Sequence, residues 1–203
     1  MNFQKTLLST ALVLASFAAS ASTTVMGTSF ASGSSSYSTI VNGGTATFLA
    51  QHGSLTGSGG PFTTATFNFK AAQGGYQGVG IAGTTAGEID RGEYVNATFA
   101  NSVGVSSIKL GLLFDGPEYY DVNEKAQISA TYADNSVHTF VLTATGTNSA
   151  SWTGLGSVVN LSPATLGSGG VWNIVNPFGN NFIQSMSLTA ITGACGTGTC
   201  TNQ

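Results

Sequence analysis

Residues 126–144 read AQISATYADNSVHTFVLTA, two runs of alternating side chains about a short polar turn. In the first run Ile128, Ala130 and Tyr132 share one face, and the second run mixes Phe140, Val141 and Leu142 with threonines. A side-chain period of two predicts half-buried strands. Ala133-Asp134-Asn135-Ser136 between them is turn chemistry, so the segment is read as an antiparallel hairpin.

The same pattern recurs on both sides. Upstream, TATFLAQ starts at Thr45, and FTTATFNFK sets Phe67 and Phe69 against Thr66, Asn68 and Lys70. YQGVGIAG reads as a glycine-spotted strand with a bulge or a close sheet contact. Val95, Ala97 and Phe99 are expected to form an inner face, followed by Ile108, Leu110, Leu112 and Phe114 in SIKLGLLF. Downstream, Trp152, VVNL and VWNIVNPF supply short strands, with Trp172 expected in the core. FIQSMSLTAIT is expected to place Phe182, Met186, Leu188 and Ala190 together. Short strands divided by Gly, Pro, Asn and Asp turns predict an all-β fold, an antiparallel β-sandwich or jelly-roll-like domain over residues 39–193.

The flanks read differently. MNFQKTLLSTALVLASFAASAS carries one early charge, Lys5, an apolar run from Leu7 to Ala19, and the small-x-small pattern Ala19-Ser20-Ala21. That is a secretory signal peptide over residues 1–21, and its apolar run is short for the roughly 20 residues a membrane span needs. Residues 22–38 form a Ser/Gly-rich arm or a first strand. Residues 194–203 form a tail in which Cys195 and Cys200 are expected to close a disulfide after export.

Five basic residues stand against eight acidic ones, for a net charge of −3, and Arg91 is the single arginine. Such a chain lacks the clustered cations that nucleic acid requires. Charged residues make up 6% of the chain, yet 41% is apolar, which favours a folded sheet protein over disorder. Its outer surface is therefore expected to be covered by hydroxyls and amides.

Seven of the eight acidic residues lie between Glu88 and Glu124. Glu88, Asp90 and Glu93 form one group. Asp115, Glu118, Asp121 and Glu124 form the other, in the loop FDGPEYYDVNEKA. Oxygen ligands on a loop suit calcium, so Asp115, Glu118, Asp121, Asn123 and Glu124 are a candidate metal set. The competing reading is a solvated loop whose aspartate caps a turn and whose glutamate pairs with Lys125. Tyr119 and Tyr120, beside this loop, are candidate stacking faces for sugar rings. His52 and His138 fit no nucleophile elbow or metalloprotease helix. Lys70 and Lys109, each on a predicted strand, suggest Lys–Asn cross-linking chemistry or, more simply, outward lysines that guard strand edges.

The runs GVGIAGTTAGEIDRGEYVNATFANSVGVSSIKLGLLF, FDGPEYYDVNEKAQISATYAD and GGVWNIVNPF…FIQSMSLTAI resemble secreted bacterial exoproteins of the PEP-CTERM-sorted type. The resemblance covers most of the exported chain. It implies a β-sandwich, a surface or matrix location and no established enzymatic activity. The chain departs from that type at CGTGTCTNQ, which has no Pro-Glu-Pro motif, apolar helix or basic cap.

The expected function is a non-catalytic extracellular matrix or structural protein, associated with exopolysaccharide or biofilm, with self-association as one form of it. The alternative is a carbohydrate-binding module, with calcium as its candidate cofactor. A glycan-processing enzyme using two of the carboxylates ranks third. Neither a nucleic-acid partner nor a membrane span in the exported chain is expected.

Overall fold

Alternation in the sequence becomes fifteen strand segments in a computed structural model, which describes residues 22–54, 61–70, 77–83, 85–115, 121–146, 148–162 and 169–195. The expected signal peptide lies outside the described residues, as does Cys200. The N-terminal third holds β1 (Ser36–Val41), β2 (Gly44–His52), β3 (Thr63–Thr64), β4 (Phe67–Phe69) and β5 (Val79–Ile81). Next come β6 (Glu93–Val103), β7 (Ser107–Phe114), β8 (Asp121–Val122), β9 (Lys125–Tyr132) and β10 (Val137–Gly146). The last third adds β11 (Ser149–Trp152), β12 (Ser157–Asn160), β13 (Gly169–Val175), β14 (Ile183–Ile191) and β15 (Ala194–Cys195). The fold is all-β and antiparallel, and no α-helix occurs among the described residues.

Eight strands form the main sheet, in the order β1-β2-β6-β14-β9-β10-β11 with β3 paired to β2. The hairpin of β9 and β10 forms as expected, with Phe140 opposite Ile128. Its turn is fixed by Asn135 at φ 67° and by Asp134 Oδ1, which accepts the Ser136 amide at 2.9 Å and hydroxyl at 2.6 Å. This is an Asx turn. The β1–β2 hairpin turns on Asn42 and Gly43, at φ 50° and 69°, the two left-handed positions that a two-residue loop of this hand demands.

Two clusters of buried side chains lie against the inner face of this sheet. The first joins Ile128, Ala130, Leu142, Ala144 and Ile183 to Ile108, Leu113, Trp172 and Ile174 of a three-stranded sheet, β12-β13-β7. Trp172 is 1% exposed, as expected for a core residue, and its Nε1 donates to Leu113 O at 3.0 Å. The second cluster joins Ala46, Phe48, Ala50, Val95 and Ala97 to Phe67 and Ile81 of the β4–β5 pair. Phe30, from the N-terminal arm, completes it by packing on Tyr37, Phe48 and Phe67. Val41, Phe99 and Met186 touch both clusters and make one continuous interior.

Parity differs from the sequence expectation at two places. Leu113, not Leu112, enters the core, because Leu112 sits at φ 60° where the ladder with β13 shifts at Gly170/Val171. Ile183 is fully buried while Phe182 is 54% exposed, and β14 has a register shift between Ile183 and Ser185. A bulge adds one residue and moves the following side chains to the opposite face.

The Cys195–Cys200 disulfide lies outside the described residues. The backbone of Cys195 is placed, opposite Asp121 in the short β15–β8 pair. Among the described residues no helix is long and apolar enough to cross a membrane.

The shifted parity of β14 has a direct test in urea unfolding. Ile183→Ala is expected to cost about 2–5 kcal/mol, whereas Phe182→Ala should stay within about 0.5 kcal/mol. Equal losses would place both side chains wrongly.

Candidate functional site

The candidate calcium residues are divided. Tyr119, Tyr120 and Glu118 lie outside the described residues, and the backbone of Asp121 pairs with Cys195 in the short β15–β8 ladder. Asp115 is half-buried at the end of β7. Asn123 turns the chain at φ 59°. Glu124 serves the fold directly. Its Oε2 accepts the Phe114 amide at 2.6 Å, and its carbonyl accepts the Ala144 amide at 3.0 Å. It thereby ties the end of β7 to β10. Among the described residues no group of three or more His, Cys, Asp or Glu side chains could hold a metal ion.

The earlier acidic group lies in and beside the turn before β6, with Asp90 and Glu93 buried and Glu88 half-buried. Glu88 pairs with Lys70. Asp90 and Glu93 are each 3% exposed. Asp90 Oδ2 accepts the Thr85 amide at 2.7 Å, and Glu93 Oε2 accepts the Asp90 amide at 2.9 Å. The Glu93 carboxylate lies where a Cβ on Gly83 would fall, so glycine there is a space requirement. These carboxylates shape the turn between β5 and β6. Burial holds the Asp90 carboxyl above its ordinary range, against the Thr85 hydrogen bond, with Glu88 pushing the same way as burial.

His138 stacks on Tyr132 at 4.4 Å between ring centroids and shares a 3.0 Å hydrogen bond with the Ser136 hydroxyl. His52 ends β2 opposite Glu93. Lys109 is exposed on β7, which fits the outward reading of that residue.

What the fold does assemble is the outer face of the main sheet. Ser38, Thr47, Thr98, Ser185, Thr131 and Val137 stand side by side across β1, β2, β6, β14, β9 and β10. The adjacent row runs Ser36, Leu49, Asn96, Ser187, Ser129 and Thr139 across the same strands. Each row spans five strand spacings, about 24 Å, without a charged residue. Hydroxyls and amides bond on and beside the rows: Ser38 with Thr47 at 3.2 Å, Ser129 with Thr139 at 3.0 Å, and Asn96 Nδ2 to Gln51 Oε1 at 2.5 Å.

One end of this face is concave. A groove of about 320 Å³ is lined by Phe62, Tyr94, Gln127, Ser129, Val137, Thr139, Ser187 and Thr189. Its wall is mainly carbon, with hydroxyl and amide groups set between. Phe62 is 44% exposed and rests edge-to-face on Tyr94, ring centroids 5.1 Å apart. The Tyr94 hydroxyl donates to Ser54 O at 2.5 Å.

No family model, curated protein or solved structure matches the chain.

Period-two alternation is enough to put Ser129, Thr139 and Ser187 on an outward face. It cannot bring them together, because β14 enters between β6 and β9 from far along the chain. Phe62 carries no signal beyond its hydrophobicity.

The buried Asp90 makes a pH prediction. Its folded pKa lies above the unfolded value, so ionisation penalises the fold as pH rises through the folded pKa, and the penalty vanishes below the unfolded value. Asp90→Asn keeps an acceptor for the Thr85 amide. It is expected to gain stability relative to wild type between acid and neutral pH in urea titrations. Parallel pH profiles would show that Asp90 carries no such penalty.

Proposed function

We propose that this is an exported bacterial matrix protein, a non-catalytic antiparallel sandwich whose outer sheet face lies against extracellular polysaccharide. The observation that carries the reading is the pair of uncharged rows across six strands. Hydroxyls and amides exchange hydrogen bonds with a polyol as readily as with water. The same rows offer no cation to a phosphate backbone and no anion to a basic partner. The signal-like first 21 residues and the resemblance to secreted exoproteins support the location. The structural roles of Asp90, Glu93 and Glu124 support a non-catalytic reading, since each accepts a backbone amide.

Co-sedimentation with insoluble exopolysaccharide tests it. The exported chain should be retained, with retention surviving high salt because no ion pairs carry it. A triple variant, Thr98→Asp, Ser129→Asp and Ser187→Asp, should lose about tenfold in apparent affinity. Absence of retention, or release of reducing sugar during incubation, would defeat the reading.

Self-association is a second form of the same function, favoured by β1. It ends the main sheet and, among the described residues, pairs with β2 alone. Its sequence SYSTIV has no charge or proline to block a further strand, and Ile40 is 62% exposed. Assembly is proposed through this edge, since Phe30 holds the N-terminal arm in the chain's own core. Light scattering should report multimers that Thr39→Pro with Ile40→Lys reduces to monomer; a monomeric wild type at high concentration would dismiss the edge.

A further inference from the structure

We infer that the groove at Phe62 is a binding site for one extended chain of a neutral, β-linked hexose polysaccharide. This rests on the reading above and deepens it by assigning the point of contact and the class of glycan.

The Phe62 ring is held where it is by built features. Tyr94 supports it from below and is itself anchored through its hydroxyl on Ser54 O. Gly53 leaves the space for both rings, since a Cβ there would lie 2.7 Å from Phe62 and 2.8 Å from Tyr94. The result is a half-exposed aromatic ring, supported on Tyr94, at the end of a trough whose mainly carbon wall is interrupted by hydroxyl and amide groups. Such a face suits the C–H side of a pyranose ring, while the ring's equatorial hydroxyls point to the trough's sides and floor.

The floor fits the rest of the chain. Thr189 stands beside Gln127, Ser187 beside Ser129, and Ser129 beside Thr139. These side chains come from adjacent strands spaced about 4.8 Å apart. That spacing is close to the advance per residue of an extended β-linked hexose chain. A glycan leaving Phe62 and running across the strands therefore meets a new donor or acceptor at each sugar. From Tyr94 on β6 to Thr139 on β10 is three strand spacings, about 14 Å, enough for a short run of sugars.

Charge selects among glycans. Among the described residues, the lining contains no ionisable carboxylate, amine, guanidinium or imidazole. A uronate or sulfated polymer would bring anions into this groove without a partner, at the cost of their hydration.

Native affinity electrophoresis tests the site with the exported chain in gels containing hydroxyethylcellulose, glucomannan or alginate. The neutral polymers are expected to retard the protein equally at low and high salt, and alginate to leave it unretarded. Phe62→Ala and Ser187→Arg should each weaken retardation by about tenfold or more. Ser157→Arg, exposed on β12 of the other sheet and away from both rows, should not. Phe62 is exposed and Ser187 half-buried, and unchanged melting temperatures confirm that the variants fold. Neutral-polymer retardation that survives both groove variants overturns the site while leaving the matrix reading intact. No retardation by either neutral polymer, alongside continued retention by whole exopolysaccharide, overturns it too. So does a change confined to self-association mass, which would assign the groove to a second copy of the chain. Loss of retention on whole exopolysaccharide is a different failure and removes the wider reading.

Discussion

The placement of β14 between β6 and β9 is the constraint on which the rest of the molecule depends. β1, β2 and β6 come from the first half of the chain, β9, β10 and β11 from the second, and β14 supplies the ladders that join them. Met186 on this strand touches both buried clusters, so the two halves share an interior as well as a sheet. Its outward residues, Ser185 and Ser187, complete the rows that cross the sheet. A slip of one residue in this strand would send Leu188 outward and the serines into the core. The bulge at Ile183 and Ser185 lets the strand bury Ile183 while keeping Met186 and Leu188 on the inner side. Because β14 pairs with residues far back along the chain, its docking closes long loops, at a cost in loop-closure entropy.

How much of this is legible in the sequence follows from which interactions are local. The β9–β10 hairpin is legible because alternation and an Asx turn are both contained within a few residues. The inner face of β6 is legible for the same reason, with Val95 and Ala97 buried as their spacing indicates. Leu112 and Phe182 mislead because a bulge leaves no mark in a hydrophobicity pattern; only the partner strand reveals the extra residue. Asn42-Gly43 is a hairpin signal of the same local kind, since both left-handed positions are filled by the residue types that tolerate them. The face itself is half legible. Each strand announces its own outward hydroxyls, but lateral order among strands is a tertiary property, and the groove exists only once that order is set.

The distribution of charge separates two parts of the surface. Lys70, Glu88, Asp90 and Glu93 are gathered in and around one glycine-rich turn, where carboxylates are tied to backbone amides. Glu124 does the same at the end of β7. Much of the charge among the described residues therefore fixes loops, and the two rows across the main sheet are left uncharged, with Glu93 and Lys125 at the starts of β6 and β9. A protein with few charges gives up much of the electrostatic repulsion that keeps soluble proteins apart. Under the proposed matrix function, in which neighbours would be in contact, that would be no hindrance.

A neutral polar face also sets the strength that such contact can have. Each hydroxyl-to-sugar hydrogen bond replaces one to water, so its net contribution is small, about 1 kcal/mol. Ring stacking and the burial of sugar C–H groups on Phe62 add apolar contact that water does not match. One groove would therefore hold a glycan weakly. A polymer presents the same unit many times, and copies of the protein joined through β1 would present the same groove many times, so weak contacts multiply into firm retention once both partners are multivalent. The uncharged edge and the uncharged face are then two aspects of one design. Under the proposed function, the first would let copies approach without repulsion, and the second would let the assembly hold a polymer that has no charge.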